Sequence, residues 1–319
     1  MNATPDNSTA VVVLPPVRGG RLDDRSLRAW LSQSDLTLDT EPRELLHRLT
    51  AELGLPYPAE GLAALRMWGQ TGDRPTVWIA AADPVYLEPQ LDRLCLHALR
   101  GAGIPASDLR PLFDYLQETL ADDRDYGFAR LGSSGYLRAS EPIATADVPS
   151  YVVDQRDPGE FLPSGEHTHS HRNILSEIEM ALHEHEVNLR RNEEGRQPVN
   201  SLWLWGGGHA PERTTRPQPP LFADDPLLAG YWESATAHGE SWPGSFARCA
   251  AASVQGFVAV TPDNDLRAET LSLYLGELRA LLRSGRLTRL VLLFRDGLRA
   301  DVRRSQTLKF WRRDSELLD

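Results

Sequence analysis

Four short stretches of this chain are dominated by apolar side chains: Val11-Val-Val-Leu14, Thr76-Val-Trp-Ile-Ala80, Gly256-Phe-Val-Ala-Val260 and residues 287–294. A strand that is apolar at successive positions, rather than alternate ones, has to be buried on both faces. Helices laid over a sheet provide that cover, and the intervening segments supply them. Helical spacing of apolar residues runs through 22–31, 42–53, 59–68, 107–120, 170–192 and 266–284, with Gly54 and Gly285 as stops. Short apolar strands alternating with helices predict an α/β fold with a central, mostly parallel sheet. The middle of the chain changes character. Residues 126–137 and 150–153 read as strands between Gly, Ser and Pro turns, with Ser133-Ser134-Gly135 as a hairpin turn, and 199–205 as a further strand. Residues 154–165 and 213–220 read as loops, and 1–9 as a disordered tail.

Charge limits the partners. The net charge of −11 over 319 residues opposes a non-specific nucleic-acid surface, which requires a basic field. Arg299, Arg303, Arg304, Lys309, Arg312 and Arg313 cluster near the C-terminus and read as a solvated charged face. The two cysteines, Cys95 and Cys249, make neither a disulfide framework nor a cysteine-based zinc site, and fit buried thiols in a reducing compartment. The first nine residues lack a signal-peptide pattern, and no apolar run reaches the ~20 residues of a membrane span. These features predict a cytoplasmic protein with neither nucleic-acid nor membrane partners.

The feature with most chemical content is Asn200-Ser-Leu-Trp-Leu-Trp-Gly206-Gly207-Gly208, followed by His209. A buried strand running into three glycines lets backbone approach a ligand closely, and ligands of open α/β sheets gather at strand carboxyl ends. The alternative is a tight structural turn. No Gly-Lys-Ser/Thr follows, so the run is not a phosphate loop, and no Gly-x-Gly-x-x-Gly opens a helix. Just upstream, Asn188, Arg191 and Arg196 fall near the entry to the turn, where guanidinium beside backbone N–H groups suits a phosphate or carboxylate. An exposed helix end with a basic last turn is the competing explanation. His167, His169, His171, His183 and His185 are dense enough to suggest zinc or nickel, yet no cysteine or suitably spaced carboxylate completes a closed site, and a polar surface is the simpler reading. A Gly-x-Ser-x-Gly elbow is missing, so serine hydrolase chemistry has no support.

The run from His185 through Val187-Asn188, Arg191, Gly195, Pro198-Val-Asn200 and Trp203-x-Trp-Gly-Gly-Gly208 resembles a segment of archaeal-type cofactor-independent phosphoglycerate mutases. Together with the segment from Trp78 to Leu87 around Asp83-Pro-Val, the helix carrying Glu177 and Met180, and Lys309-Phe-Trp311-Arg-Arg, it resembles more closely a bacterial group of phosphoglycerate mutase-like, RpfE-type regulatory proteins. The resemblance implies an alkaline-phosphatase-like core over 10–99 and 171–319, a mostly parallel sheet flanked by helices, with a smaller α+β domain inserted over 100–170. Enzymes of that family use two metal ions and a serine nucleophile. Here the first strand ends in Pro15-Pro16-Val17, no serine stands at Thr40-Glu41-Pro42, and Asp263, Asp265 and Asp296 remain as isolated carboxylates without the accompanying histidines. The resemblance therefore implies a non-catalytic relative, with no cofactor and no bound metal. It would bind a small anionic ligand or a protein partner through Asn188, Arg191, Arg196, Asn200, Gly206, Gly207, Gly208 and His209. The alternative is an active mutase or phosphomonoesterase with rearranged ligands.

Overall fold

The structure, a computed structural model, describes residues 8–100, 103–121, 125–165, 168–212, 218–237, 239–263, 267–304 and 316–318. In chain order its elements are β1 (Thr9–Leu14), α1 (Arg25–Ser32), β2 (Asp35–Leu38), α2 (Leu45–Leu53), α3 (Leu62–Thr71), β3 (Ile79–Pro89), β4 (Leu94–Ala98) and α4 (Ala106–Leu120). There follow β5 (Tyr126–Leu131), β6 (Ser134–Ala139), α5 (Ser150–Val153), α6 (Thr168–His183), α7 (Glu186–Glu193), β7 (Ser201–Gly208), β8 (Leu221–Phe222) and α8 (Pro226–Ser234). The last elements are β9 (Gly239–Glu240), α9 (Phe246–Ala252), β10 (Gly256–Val260), α10 (Ala268–Arg283), β11 (Arg289–Phe294) and β12 (Leu298–Arg303).

The chain divides into two compact units, one of Met1–Glu41 with Arg213–Asp319, the other of Pro42–Glu212. In the first unit a sheet runs in the order β2-β12-β11-β1-β10-β8-β9. β1 pairs in parallel with β10 on one side and β11 on the other, while β12 and β2 add an antiparallel edge. The apolar runs behave as their composition requires. Ala10, Val12 and Leu14 face a core shared with Leu27 and Trp30 of α1, Phe246 of α9 and Leu271, Leu275 and Leu278 of α10. Val11 and Val13, on the opposite face of β1, are buried as well. Each such side chain contributes about 1.5–3 kcal/mol from burial. The parallel-rich α/β sheet flanked by helices is thus the fold expected. Residues 1–7 lie outside the described part, but the expected tail ends sooner than 9. Thr9 begins β1, and the Ser8 hydroxyl donates to the Arg286 carbonyl at 2.9 Å.

The second unit is built on β3. Ile79 to Val85 pair antiparallel with β7, while the other edge pairs with β6 over 79–81 and with β4 over 85–89. Helices α4, α6 and α7 cover one face through Leu112, Phe113, Ile174, Ile178 and Val187. This division differs from the expected insertion at 100–170. β3 and β7, which fall in the ranges the resemblance gave to the core, pair with each other, β3 also pairs with the β5–β6 hairpin, and the compact unit that holds them runs from Pro42 to Glu212. Two further expectations change. Residues 150–153 form a turn of helix rather than a strand. The expected helix over 170–192 is two helices, because the His185 side chain accepts the Val187 N–H and starts α7 afresh. None of the described helices is long and apolar enough to cross a membrane.

Candidate functional site

The glycine run ends β7, and what lies against it explains the three glycines. Gly206 has φ 61°, and a Cβ there would sit 2.9 Å from the Cβ of Leu62. At Gly207 it would sit 2.5 Å from Cζ2 of Trp78, and at Gly208 2.4 Å from the backbone nitrogen of Gly61. The Gly61 N–H donates to the Gly207 carbonyl at 3.2 Å, the Gly206 N–H to the Ala146 carbonyl at 2.8 Å, and the Gly207 N–H to Oγ1 of Thr145 at 3.0 Å. The run is a joint where the start of α3 meets the end of β7. His209 lies exposed just beyond it.

The neighbouring polar residues are spent on the fold in the same way. The Asn188 amide donates to the carbonyls of Leu182 and Val199 and accepts the Val199 N–H, each at 2.8 Å, clipping α7 to the chain entering β7. Arg191, 1% exposed, donates through Nε to the Gln197 carbonyl, through one terminal nitrogen to Asp108 at 2.8 Å and through the other to the Gly103 carbonyl at 2.7 Å. Arg190 and Arg196 reach the same Asp108 carboxylate, and Arg196 also pairs with Glu194. Burial pushes the Asp108 carboxyl up, but the three guanidiniums outweigh it and hold the group below the ordinary range. Asn200 accepts the Leu87 N–H at 2.7 Å and donates to the Leu87 carbonyl at 2.9 Å, extending the edge of β3. The residues grouped by sequence as a ligand surface come together mainly as clips and clamps.

The described histidines of this group do not converge. His167 lies outside the described residues. His169 is exposed and His183 is at the exposed end of α6, while the His171 ring is buried with Nδ1 2.8 Å from the Ala144 carbonyl. Burial lowers the pKa of both His171 and His185. His185 caps α7 and packs on Tyr115.

Sequence reading missed a buried polar network at the centre of the second unit. Arg66 of α3 bonds Asp83 of β3 at 2.7 Å, the Tyr136 hydroxyl at 3.1 Å and the Gly135 carbonyl at 2.8 Å. The other Asp83 oxygen accepts from Ser150 at 3.0 Å and from the Trp205 indole at 2.7 Å. The Arg66 guanidinium also lies 5.2 Å from the Trp205 ring centre. The available signal was a charge interrupting an apolar helix, Arg66, and another interrupting an apolar strand, Asp83. Every partner is satisfied, so the network fixes α3, β3, β6 and β7 relative to one another rather than presenting a reactive group.

In the first unit, the carboxyl ends of the central strands are tied together. Asp296, after β11, accepts the N–H groups of Val17 and Arg18, after β1, at 2.7 and 2.8 Å. Arg295 donates to the Thr261 carbonyl, after β10, at 2.7 Å, and the Thr261 hydroxyl donates to the Val13 carbonyl at 3.0 Å. Arg18 keeps a buried Nε with no hydrogen-bond acceptor among the described residues. Asp263 is exposed, and Asp265 lies outside the described residues. This is an end rich in guanidinium, chemically suited to an anion.

Comparison with known proteins places the chain. It is 29% identical to the 2,3-bisphosphoglycerate-independent phosphoglycerate mutase of Methanosarcina barkeri over 113 residues, 35% of this chain and 28% of that protein. It is 27% identical to the probable 2,3-bisphosphoglycerate-independent phosphoglycerate mutase of Geobacter sulfurreducens over 128 residues, 40% of this chain and 32% of that protein. The matches thus span about a third or less of these relatives. In fold it is similar to the PH0037 protein from Pyrococcus horikoshii, with a TM-score of 0.50 at 12% identity, covering 90% of this chain and 81% of that one. No family model matches. The chain is a distant homologue of the cofactor-independent phosphoglycerate mutases.

Proposed function

We propose that this chain is a phosphoglycerate mutase-like protein that has given up two-metal phosphoryl transfer and acts by binding a small anionic ligand, in a regulatory role. The observation that carries this reading is the closure of the central strand ends. A two-metal centre clamps the attacking and leaving oxygens with clustered carboxylates and imidazoles. Here the carboxylate at the end of β11, Asp296, is already occupied by the N–H groups of Val17 and Arg18. Its neighbour Arg295 brings positive charge to the same end, which repels divalent cations. The charge favours a phosphate or carboxylate instead, at the strand ends where open α/β sheets bind their ligands. Arg18, whose buried Nε has no hydrogen-bond acceptor among the described residues, is the residue we assign to receive it.

Mutase and phosphatase assays in the presence of manganese or zinc test the first half. Turnover no greater than that of buffer is expected, whereas robust metal-dependent activity would establish an active mutase or phosphomonoesterase and overturn the reading. Calorimetric titration with 3-phosphoglycerate and with inorganic phosphate tests the second. Binding weakened about tenfold or more by Arg18→Ala is expected, given the ~1.5–3 kcal/mol typical of a charged hydrogen bond. Equal affinity in that variant would remove Arg18 from the site.

A further inference from the structure

One group of side chains has a donor set that neither the fold nor the strand-end site uses. Glu88 of β3 and Cys95 of β4 are direct cross-strand partners, and His97 pairs with Tyr86 two residues away. Positions 86, 88, 95 and 97 therefore share one face of the hairpin. Nε2 of His97 lies 2.9 Å from a Glu88 carboxylate oxygen, and the ligand atoms of Glu88, Cys95 and His97 all lie within 4.8 Å of one another. No other group of three such ligands gathers among the described residues.

From this geometry we infer a binding site for one zinc-class divalent cation, held by the Cys95 thiolate, the His97 imidazole and the Glu88 carboxylate. Bonds of ~2.0–2.3 Å to a tetrahedral zinc put its donors roughly 3.3–3.8 Å apart. The His97–Glu88 pair, at 2.9 Å, opens slightly to reach those separations. The backbone beneath is held on both sides. The Leu87 N–H and carbonyl are bonded by the Asn200 side chain at 2.7 and 2.9 Å. The Leu96 N–H donates to the Arg156 carbonyl at 3.0 Å, and the Leu96 carbonyl accepts the Gln155 N–H at 2.7 Å. Leu87 and Leu96 are themselves a cross-strand pair, so the residue next to Glu88 and the residue between Cys95 and His97 are each held from the outer edge of the hairpin. The Tyr86 ring stacks on His97 with centres 5.8 Å apart, limiting the imidazole's swing.

Sulfur with imidazole selects zinc, cobalt or cadmium over magnesium and calcium, which prefer an all-oxygen shell. Three protein ligands leave a fourth tetrahedral position for water or an exogenous ligand. Binding displaces the thiol proton from Cys95 into solvent, so affinity rises with pH.

Cobalt titration of the full chain, purified without a histidine tag, tests the site. The expected result is one cobalt per chain with a thiolate-to-cobalt charge-transfer band, displaced by zinc. Cys95→Ser abolishes the band, and His97→Gln and Glu88→Gln weaken binding about tenfold or more, the smallest loss expected for a ligand when outer-shell changes already cost that much. Cys249→Ser, which alters a buried thiol elsewhere, leaves the band intact. Far-ultraviolet circular dichroism of each variant separates lost binding from lost fold, and if Cys95→Ser fails to fold, the His97→Gln and Glu88→Gln titrations decide. Stoichiometric binding without a thiolate band, or unchanged affinity in folded Cys95→Ser or His97→Gln protein, would overturn the site.

Discussion

Asp108 holds three guanidiniums, from Arg190, Arg191 and Arg196, and through them it fastens α4 to α7 and to the chain leading into β7. Asp301 of β12, with 8% exposure, does the same for Arg289, Arg299 and Arg303. Of the basic residues that read as a solvated face, Arg303 and Arg304 are exposed, Arg299 and Arg303 also reach this carboxylate, and Lys309, Arg312 and Arg313 lie outside the described residues. Burial pushes both carboxyls up and the arginines pull them further down, leaving each below its ordinary value. A depressed native pKa contributes stability above the unfolded carboxyl value of about 3.9 and loses it as pH falls through the native value. His171 acts at a higher pH. Burial lowers its pKa, against a smaller opposing effect of the Ala144 carbonyl, so below about 6.5 the unfolded chain takes up a proton that the native ring resists. Urea midpoints followed against pH should therefore fall in two stages, the first starting below about 6.5 and the second below about 3.9. His171→Gln should diminish the first stage, and Asp108→Asn the second. The buried Arg66–Asp83 pair gives a separate expectation. Asp83→Ala strands the guanidinium and should cost about 3–5 kcal/mol in urea unfolding, since removing one partner of a buried pair leaves its charge uncompensated.

At the scale of elements, the glycine joint between β7 and α3 makes a graded prediction. Gly208→Ala meets the Gly61 backbone at 2.4 Å with φ at 149°, and should destabilise by about 2–5 kcal/mol from strain plus overpacking. Gly19→Ala has φ 69° but nothing within 4 Å, and should cost only the backbone penalty of about 1–2 kcal/mol, so thermal melts of the two variants distinguish packing from conformation. The same contrast explains what was legible in the sequence. β1, β10 and β11 announce themselves because burial on both faces leaves no polar position to confuse the pattern. β12, Leu-Arg-Ala-Asp-Val-Arg, alternates under a charge cluster and is hidden among arginines, and the four-residue β2 is too short to show a period. The strand that reads over 76–80 runs on as β3 to Pro89, through Asp83-Pro84. Asp83 is neutralised by Arg66, and Pro84 pairs with Leu202 while its carbonyl accepts the Leu99 N–H. The apolar period of α6 runs on into α7, so only the capping imidazole of His185 marks the break. The Arg66 network and the Glu88–Cys95–His97 group stayed out of sight because strand register, which no spacing along the chain encodes, brings their members together.

At the scale of the whole molecule, the two units differ in how the chain supplies them. Pro42–Glu212 is contiguous, with its own sheet and its own core, so a fragment of those residues should unfold cooperatively on its own, as followed by circular dichroism. The other unit is assembled from both ends. A fragment of 213–319 lacks the strand that β10 and β11 both pair with, and should give no cooperative transition until residues 1–41 are added back. That central strand has a further consequence, in time. Thr9 is paired with Gly256 and Arg289, so β1, once made on the ribosome, waits for β10 and β11 before either of its edges is satisfied. At roughly 5–20 residues per second the wait lasts on the order of tens of seconds, during which Pro42–Glu212 emerges complete and can close around its own core. Throughout that interval Val11-Val-Val-Leu14 is a sticky, unpaired segment of the nascent chain, and the risk of aggregation in making this protein is concentrated there.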